Sequence, residues 1–148
     1  MKSRVILIAL LFVAASCGRK SEHSMHEHES ESDNPNRALY DQVQEIHMDA
    51  MDKMKDFAEL KSMLESKLKA TGLTDEKKKE LNEAHANLDS AEMAMDSWMG
   101  QWMKNAPDSA DVEKGREYFE SQLEAVRKVR DMGTEAIDRA RTLAEEKN

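Results

Sequence analysis

Apolar residues recur at intervals of three and four along most of this chain, and three such stripes can be followed. The first runs through Leu39, Val43, Ile46, Ala50, Met54, Phe57, Leu60, Leu64 and Leu68, and the second through Leu81, Ala84, Leu88, Ala91, Met95, Trp98 and Trp102. The third takes in Val112, Phe119, Leu123, Val126, Val129 or Arg130, Gly133, Ile137, Ala140 and Leu143 or Ala144. That spacing puts each set on one face of an α-helix. Asn34-Pro35 offers a cap followed by proline at the first helical position. Gly72 offers a left-handed stop, with Leu73 folding back as its hydrophobic contact. Thr74 caps the next helix, and Asp75 and Glu76 oppose the positive end of its dipole. Pro107 breaks the second stripe, and the third helix is expected to begin at Asp108 or Ser109. The pattern predicts an all-α protein with helices over about 35–71, 74–105 and 109–146.

Two short loops between long helices imply antiparallel neighbours, so the expected architecture is an up-down-up three-helix bundle, elongated and coiled-coil-like. At a rise of about 1.5 Å per residue each helix would be about 45 to 55 Å long. Turning the chain about residue 72 brings Trp98 level with His47, and turning it about Pro107 brings Phe119 level with Met95. Met51, Met95, Trp98, Met99 and Phe119 are then expected in one layer near the second loop. Gly133 lowers helix stability by about 1 kcal/mol relative to alanine and marks the weakest point of the third helix.

Ahead of the helices the pattern is different. Lys2 and Arg4 precede an unbroken apolar run of eleven residues, Val5 to Ala15, and Ser16 then leads to Cys17, the single cysteine of the chain. A basic start, a short apolar run and small residues before a cut describe a secretory signal, since a bilayer crossing needs about 20 apolar residues. Ala14-Ala15-Ser16-Cys17 resembles the lipobox of bacterial lipoproteins, in which the cysteine receives a diacylglycerol and becomes the first residue of the processed chain. Leucine is the commonest residue where Ala14 stands. The resemblance implies residues 1–16 as a lipoprotein signal peptide, Cys17 as the site of lipid attachment, palmitate among its acyl chains, and a membrane anchor that needs no second signal. Gly18 stands where an inner-membrane retention signal would have aspartate, which points to the outer membrane, facing either side, in an organism that has one. A plain secreted protein cut near the same place and an uncleaved anchor are the alternatives.

Residues 17–34 form the expected lipidated, disordered linker. Between Gly18 and Asn34 there is no aliphatic residue and one methionine, which cannot bury enough surface to offset the entropy of ordering. Its histidines His23, His26 and His28 alternate with Glu22, Glu27 and Glu29. Such a tract can be a plain solvated tether or a loose ligand set for zinc, copper or nickel.

Charge narrows the partners. The chain has 22 basic and 30 acidic residues, a formal charge of −8. Removing residues 1–16 takes away Lys2 and Arg4 and no acid, leaving −10. A balance that acidic argues against nucleic acid, whose binders present a concentrated basic face. It also means that lipid, not charge, would hold the protein on an anionic membrane.

Eleven methionines invite a chemical reading. Met48, Met51 and Met54 repeat every three residues and Met95, Met99 and Met103 every four, with His47 beside the first set. Thioether and imidazole ligands suit Cu(I). The competing reading is that methionine is an adaptable core filler with good helix propensity, which needs no metal. His85 reads as a boundary residue. Enzyme signatures are missing from the sequence: Glu45 and Glu83 lie two residues before His47 and His85, so the Glu-x-x-His pair of di-iron bundles fails. Cys-x-x-Cys-His, His-Glu-x-x-His, phosphate-binding glycine loops and Gly-x-Ser-x-Gly do not occur.

The stretch Glu45-Ile-His-Met-Asp-Ala-Met-Asp-Lys-Met54, followed by Leu60-Lys61, resembles the opening of a group of small helical bacterial lipoproteins, some labelled "viral A-type inclusion protein". Ala94-Met-Asp-Ser-Trp-Met99 and Pro107-Asp-Ser-Ala resemble two further parts of that group, with Met95-Asp96 where a Met-Met pair is usual. The resemblance implies fold and anchoring and no reaction. Three functions are therefore expected to compete. The first is a non-enzymatic envelope protein that binds another protein or has a structural role. The second is copper or zinc binding through His23, His26, His28, His47, Met51, Met95 and Met99. The third is a holdase-like chaperone with an adaptable methionine-rich face.

Overall fold

The computed structural model describes residues 34–107 and 110–146. Cys17, His23, His26 and His28 lie outside the described residues. The protein is all-α, with four helices in the described residues: α1 (Arg37–Met54), α2 (Phe57–Leu68), α3 (Asp75–Lys104) and α4 (Val112–Glu145).

The first stripe is thus carried by two helices, not by one running over 35–71. Between them Lys55 N donates to Asp52 O (3.4 Å) and Asp56 N to Lys53 O (3.2 Å), three-residue bonds that tighten the turn before Leu60 N resumes the four-residue ladder to Asp56 O. Neither glycine nor proline causes this break. The stripe itself supplies a reason, because Met54, Phe57 and Leu60 advance by three twice in succession. A chain that keeps such residues facing one core must wind more tightly there. The stripe stays continuous across the break, and Val43, Ala50, Phe57, Leu60 and Leu64 are all buried.

Two helix starts also differ from expectation. Pro35 lies in a turn before α1, whose first residue is Arg37. Asn34 still serves the start: its Oδ1 accepts from Asn36 N (2.9 Å) and its carbonyl from Arg37 N (3.0 Å). Asp108 and Ser109 lie outside the described residues, and α4 is capped instead by Asp111, whose carboxylate accepts from Lys114 N at 3.1 Å. The later start leaves Val112 in the first turn and 47% exposed, outside the stripe. Elsewhere the caps follow the sequence. Thr74 Oγ1 accepts from Lys77 N (3.1 Å), Gly72 has φ +86°, and Leu73 packs on the core.

Packing divides the interior into two clusters. One is aliphatic apart from Phe57, and holds Leu60, Leu64, Leu81, Ala84, Leu88, Ala91, Ala136, Ile137, Ala140 and Leu143. The other holds Val43, Ala50, Met95, Trp98, Leu123, Val126 and Val129, flanked by larger rings and thioethers. Met54 packs against both. α2 packs on α3 and α4, whereas α1 packs chiefly on α4. Rings bridge the space from α1 to α3, Tyr40 to Trp102 at 5.8 Å between centroids and His47 to Trp98 at 5.1 Å.

Polar ties fix the register. Asn36 Nδ2 donates to Val112 O (2.9 Å), and Tyr118 OH to Trp102 O (2.8 Å). Lys61 bridges Asp89 and Glu92, Arg141 meets Asp56 at 3.0 Å, and Lys67 and Lys77 both reach Glu146. No helix of the described residues is long and apolar enough to cross a membrane.

Candidate functional site: the His47, Trp98 and methionine layer

The sequence placed His47 level with Trp98, and these two rings do meet. His47 sits on the flank of α1, one residue after the core position Ile46, and its ring lies 5.1 Å from that of Trp98 at a 48° tilt. Burial lowers the His47 pKa from its ordinary value, which favours the neutral imidazole. Its Nε2 is shut off from solvent and has no hydrogen-bond partner among the described residues, and the same is true of Trp98 Nε1. Trp98 is itself buried, and Met95 beside it is 1% exposed. Met99 and Met54 are half-buried against the same cluster.

Other members of the expected layer lie elsewhere. Met51 is 36% exposed and Met48 64%, so the first methionine set does not line one buried face. The cause is helical geometry: each step of three residues turns the side chain by about 60°, and two steps carry Met48 and Met54 about 120° apart. Phe119 is displaced by about two turns from Met95. It packs on Tyr40 (5.9 Å, edge-on), Trp102 (5.8 Å) and Tyr118 (5.5 Å). The start of α4 at Val112, later than expected, moves the centre of the turn and brings Phe119 opposite Trp102.

The aromatic box that results continues the layer toward the end of the molecule where α1 begins. Trp98 and Trp102 stack at 5.6 Å, Trp102 and Tyr118 at 5.8 Å, and the Arg37 guanidinium lies 5.6 Å from the Tyr40 ring centre. Tyr40 and Tyr118 received no role in the sequence reading. Their signal was available, because Tyr40 and Val43 continue one face and Tyr118 neighbours Phe119.

A second feature missed in the sequence lies beside this box. Asn36 is 4% exposed, the one buried polar residue among those described. Its amide meets α4 where Gly115 has no side chain: a Cβ there would lie 2.7 Å from Asn36 Nδ2. Gly115 thus gives Asn36 access to the Val112 carbonyl, and start of α1 and start of α4 are clasped together.

His85 is the expected boundary residue, half-buried, with Nε2 3.3 Å from Glu65 and Nδ1 3.2 Å from Asp89. Among the described residues no three His, Cys, Asp or Glu side chains gather in a way that could hold a metal ion. An open groove of about 670 Å³ is lined by Asn87, Asp131, Thr134, Glu135, Asp138, Arg139 and Thr142, and includes none of the rings. A narrow crevice at Gly133, beneath Ala50, Met54 and Ile137, is too tight for water. Compared with family models, with curated proteins and with solved structures, the chain matches none.

Proposed function

We propose that this protein is a bacterial lipoprotein of the cell envelope, attached through acylated Cys17 and placed on the outer membrane. Its helical body acts there by contact with another protein, not by catalysis. In this reading the body is an up-down-up bundle: α1 and α2 run one way, α3 returns, and α4 runs parallel to α1. The ties of Asn36 to Val112 at one end and of Lys67 and Lys77 to Glu146 at the other support that path.

The observation that carries the reading is the leader, with its basic start, eleven-residue apolar run and Ala14-Ala15-Ser16 ahead of one cysteine. The body adds support of a second kind. Its interior is filled by apolar side chains from Val43 to Leu143, and its surface is laced with ion pairs such as Arg116 with Glu113 and Glu120. A filled interior beneath a charged surface suits a body that works from its outside.

Growth of cells with an alkyne analogue of palmitate tests the anchor. The wild-type chain should carry label and sediment with membranes, and Cys17→Ala should lose both. Label retained on Cys17→Ala, or wild-type protein free of label, overturns the reading.

A further inference from the structure

We propose that His47, Trp98 and the methionines around them form a binding site for one Cu(I) ion, independent of how the protein is anchored. A buried imidazole nitrogen without a partner is unusual, because such a group costs about 1 to 3 kcal/mol when left unsatisfied. His47 Nε2 is in that position, next to an indole nitrogen in the same condition. Sulfur donors lie in the cluster of Trp98: Met95 is buried within it and Met99 packs against it.

This donor set selects among metals. Thioethers with one imidazole suit a soft, monovalent ion of low coordination number, whereas zinc and Cu(II) call for more nitrogen or oxygen ligands. Among the described residues no carboxylate pairs with His47 and no triad of His, Cys, Asp or Glu competes for a hard ion. The indole face contributes as well: a cation held against Trp98 gains from the ring quadrupole, most strongly where water is excluded. Methionine has three rotatable bonds and a polarisable sulfur, so its side chain adapts to what it packs against. His47 Nε2 is assigned as the nitrogen ligand, the sulfurs of Met95 and Met99 as the thioether donors, and Trp98 as the wall of the site.

The test uses the full chain in detergent with Cys17→Ser and with His23, His26 and His28 changed to Ala, so that neither the thiol nor the linker tract can answer. Cu(I) is supplied as its bicinchoninate complex under anaerobic conditions, and transfer is followed by loss of the complex colour and by quenching of tryptophan fluorescence. One equivalent should transfer, with quenching. His47→Phe keeps a ring against Trp98 and removes the nitrogen, and it should weaken binding by at least about a hundredfold, since loss of an outer partner alone costs about ten- to a hundredfold. Met99→Leu preserves apolar bulk, and it should weaken binding by about tenfold. Circular dichroism confirms that each variant keeps its helix content. No transfer to the parent chain, or equal transfer to helical His47→Phe, overturns the proposal.

Discussion

The two ends of the interior are built from different materials and are finished to different degrees. Around α2 the core is leucine, alanine and isoleucine with one phenylalanine, and α2 packs on both α3 and α4. Around α1 it is tryptophan, methionine and valine with one leucine and one alanine; rings of α1 meet rings of α3, and buried nitrogens of His47 and Trp98 are left unpaired among the described residues. Small aliphatic side chains allow close helix approach and leave no polar atom to satisfy. Large rings fill a wider gap but bring polar atoms and irregular edges, which flexible methionines then fit. The aliphatic end is a structural core, and the ring end is where any chemistry in the described body has material to work with.

The largest test of that contrast is one chemical change made in both places. Leu88→Ala removes a side chain with no exposure from the aliphatic cluster, and Leu123→Ala removes one that is 8% exposed from the ring cluster. Leucine-to-alanine changes in cores cost about 2 to 5 kcal/mol, and the value depends on how far the surroundings collapse. Leu88 has stiff aliphatic neighbours and should cost about 4 kcal/mol. Leu123 has Met95 and Met99 within its cluster and should cost about 2 kcal/mol, because thioethers can move into the space. Urea unfolding with unchanged slopes reads both values. Equal losses, or a larger loss at Leu123, break the comparison.

How much of this was legible follows from which signals are periodic. The stripes, Val112 apart, were legible because burial repeats with the helix: Leu81, Ala84, Leu88, Ala91, Met95 and Trp98 are all buried. Thr74 and Gly72 were legible because a cap and a left-handed turn each demand a particular residue type. The break after Met54 was not, since no residue there forbids a helix, and only two successive steps of three betrayed it. The pairing of His47 with Trp98 followed from counting back around the first loop. Counting around Pro107 failed for Phe119 because the start of α4 could not be placed within three residues, and an error in the centre of a turn counts twice in the partner, here the difference of about two turns between Met95 and Trp102. Met51 was misplaced for a simpler reason: a repeat of three drifts round the helix, and it was read as if it did not.

The clasp at the ring end gives the next prediction. Gly115→Ala puts a Cβ 2.7 Å from Asn36 Nδ2, so the buried amide must leave the Val112 carbonyl. Loss of a buried hydrogen bond costs about 1 to 3 kcal/mol, offset by up to about 1 kcal/mol of helix propensity gained on replacing glycine. Gly115→Ala should therefore be destabilising by about 1 kcal/mol. Made together with Asn36→Ala, the same change has nothing to strike and should become stabilising by about 1 kcal/mol. A double-mutant cycle in urea measures the coupling. Additive effects would mean that Asn36 and Gly115 do not act as a pair, and that the ring end is held by its rings alone.

The smallest expected effect falls where the two ends meet. Gly133 faces the bend between α1 and α2, and a Cβ there would find Met54 Cγ and Phe57 Cζ, each at 3.9 Å, an ordinary contact. Two accounts of this glycine predict opposite signs. If the bend required a close helix approach at Gly133, alanine would push Met54 and Phe57 away and destabilise both clusters. The distances say that there is room, and the crevice lined by Ala50, Met54 and Ile137 is waterless space that a methyl group partly fills. Gly133→Ala should therefore stabilise by about 1 kcal/mol, the helix-propensity difference. It should do so equally in the Leu88→Ala and Leu123→Ala backgrounds, because Met54 joins both clusters and favours neither. A gain seen in only one background would assign the bend to that end of the molecule, and a loss in both would make the tight winding after Met54 a response to Gly133 and not to the stripe.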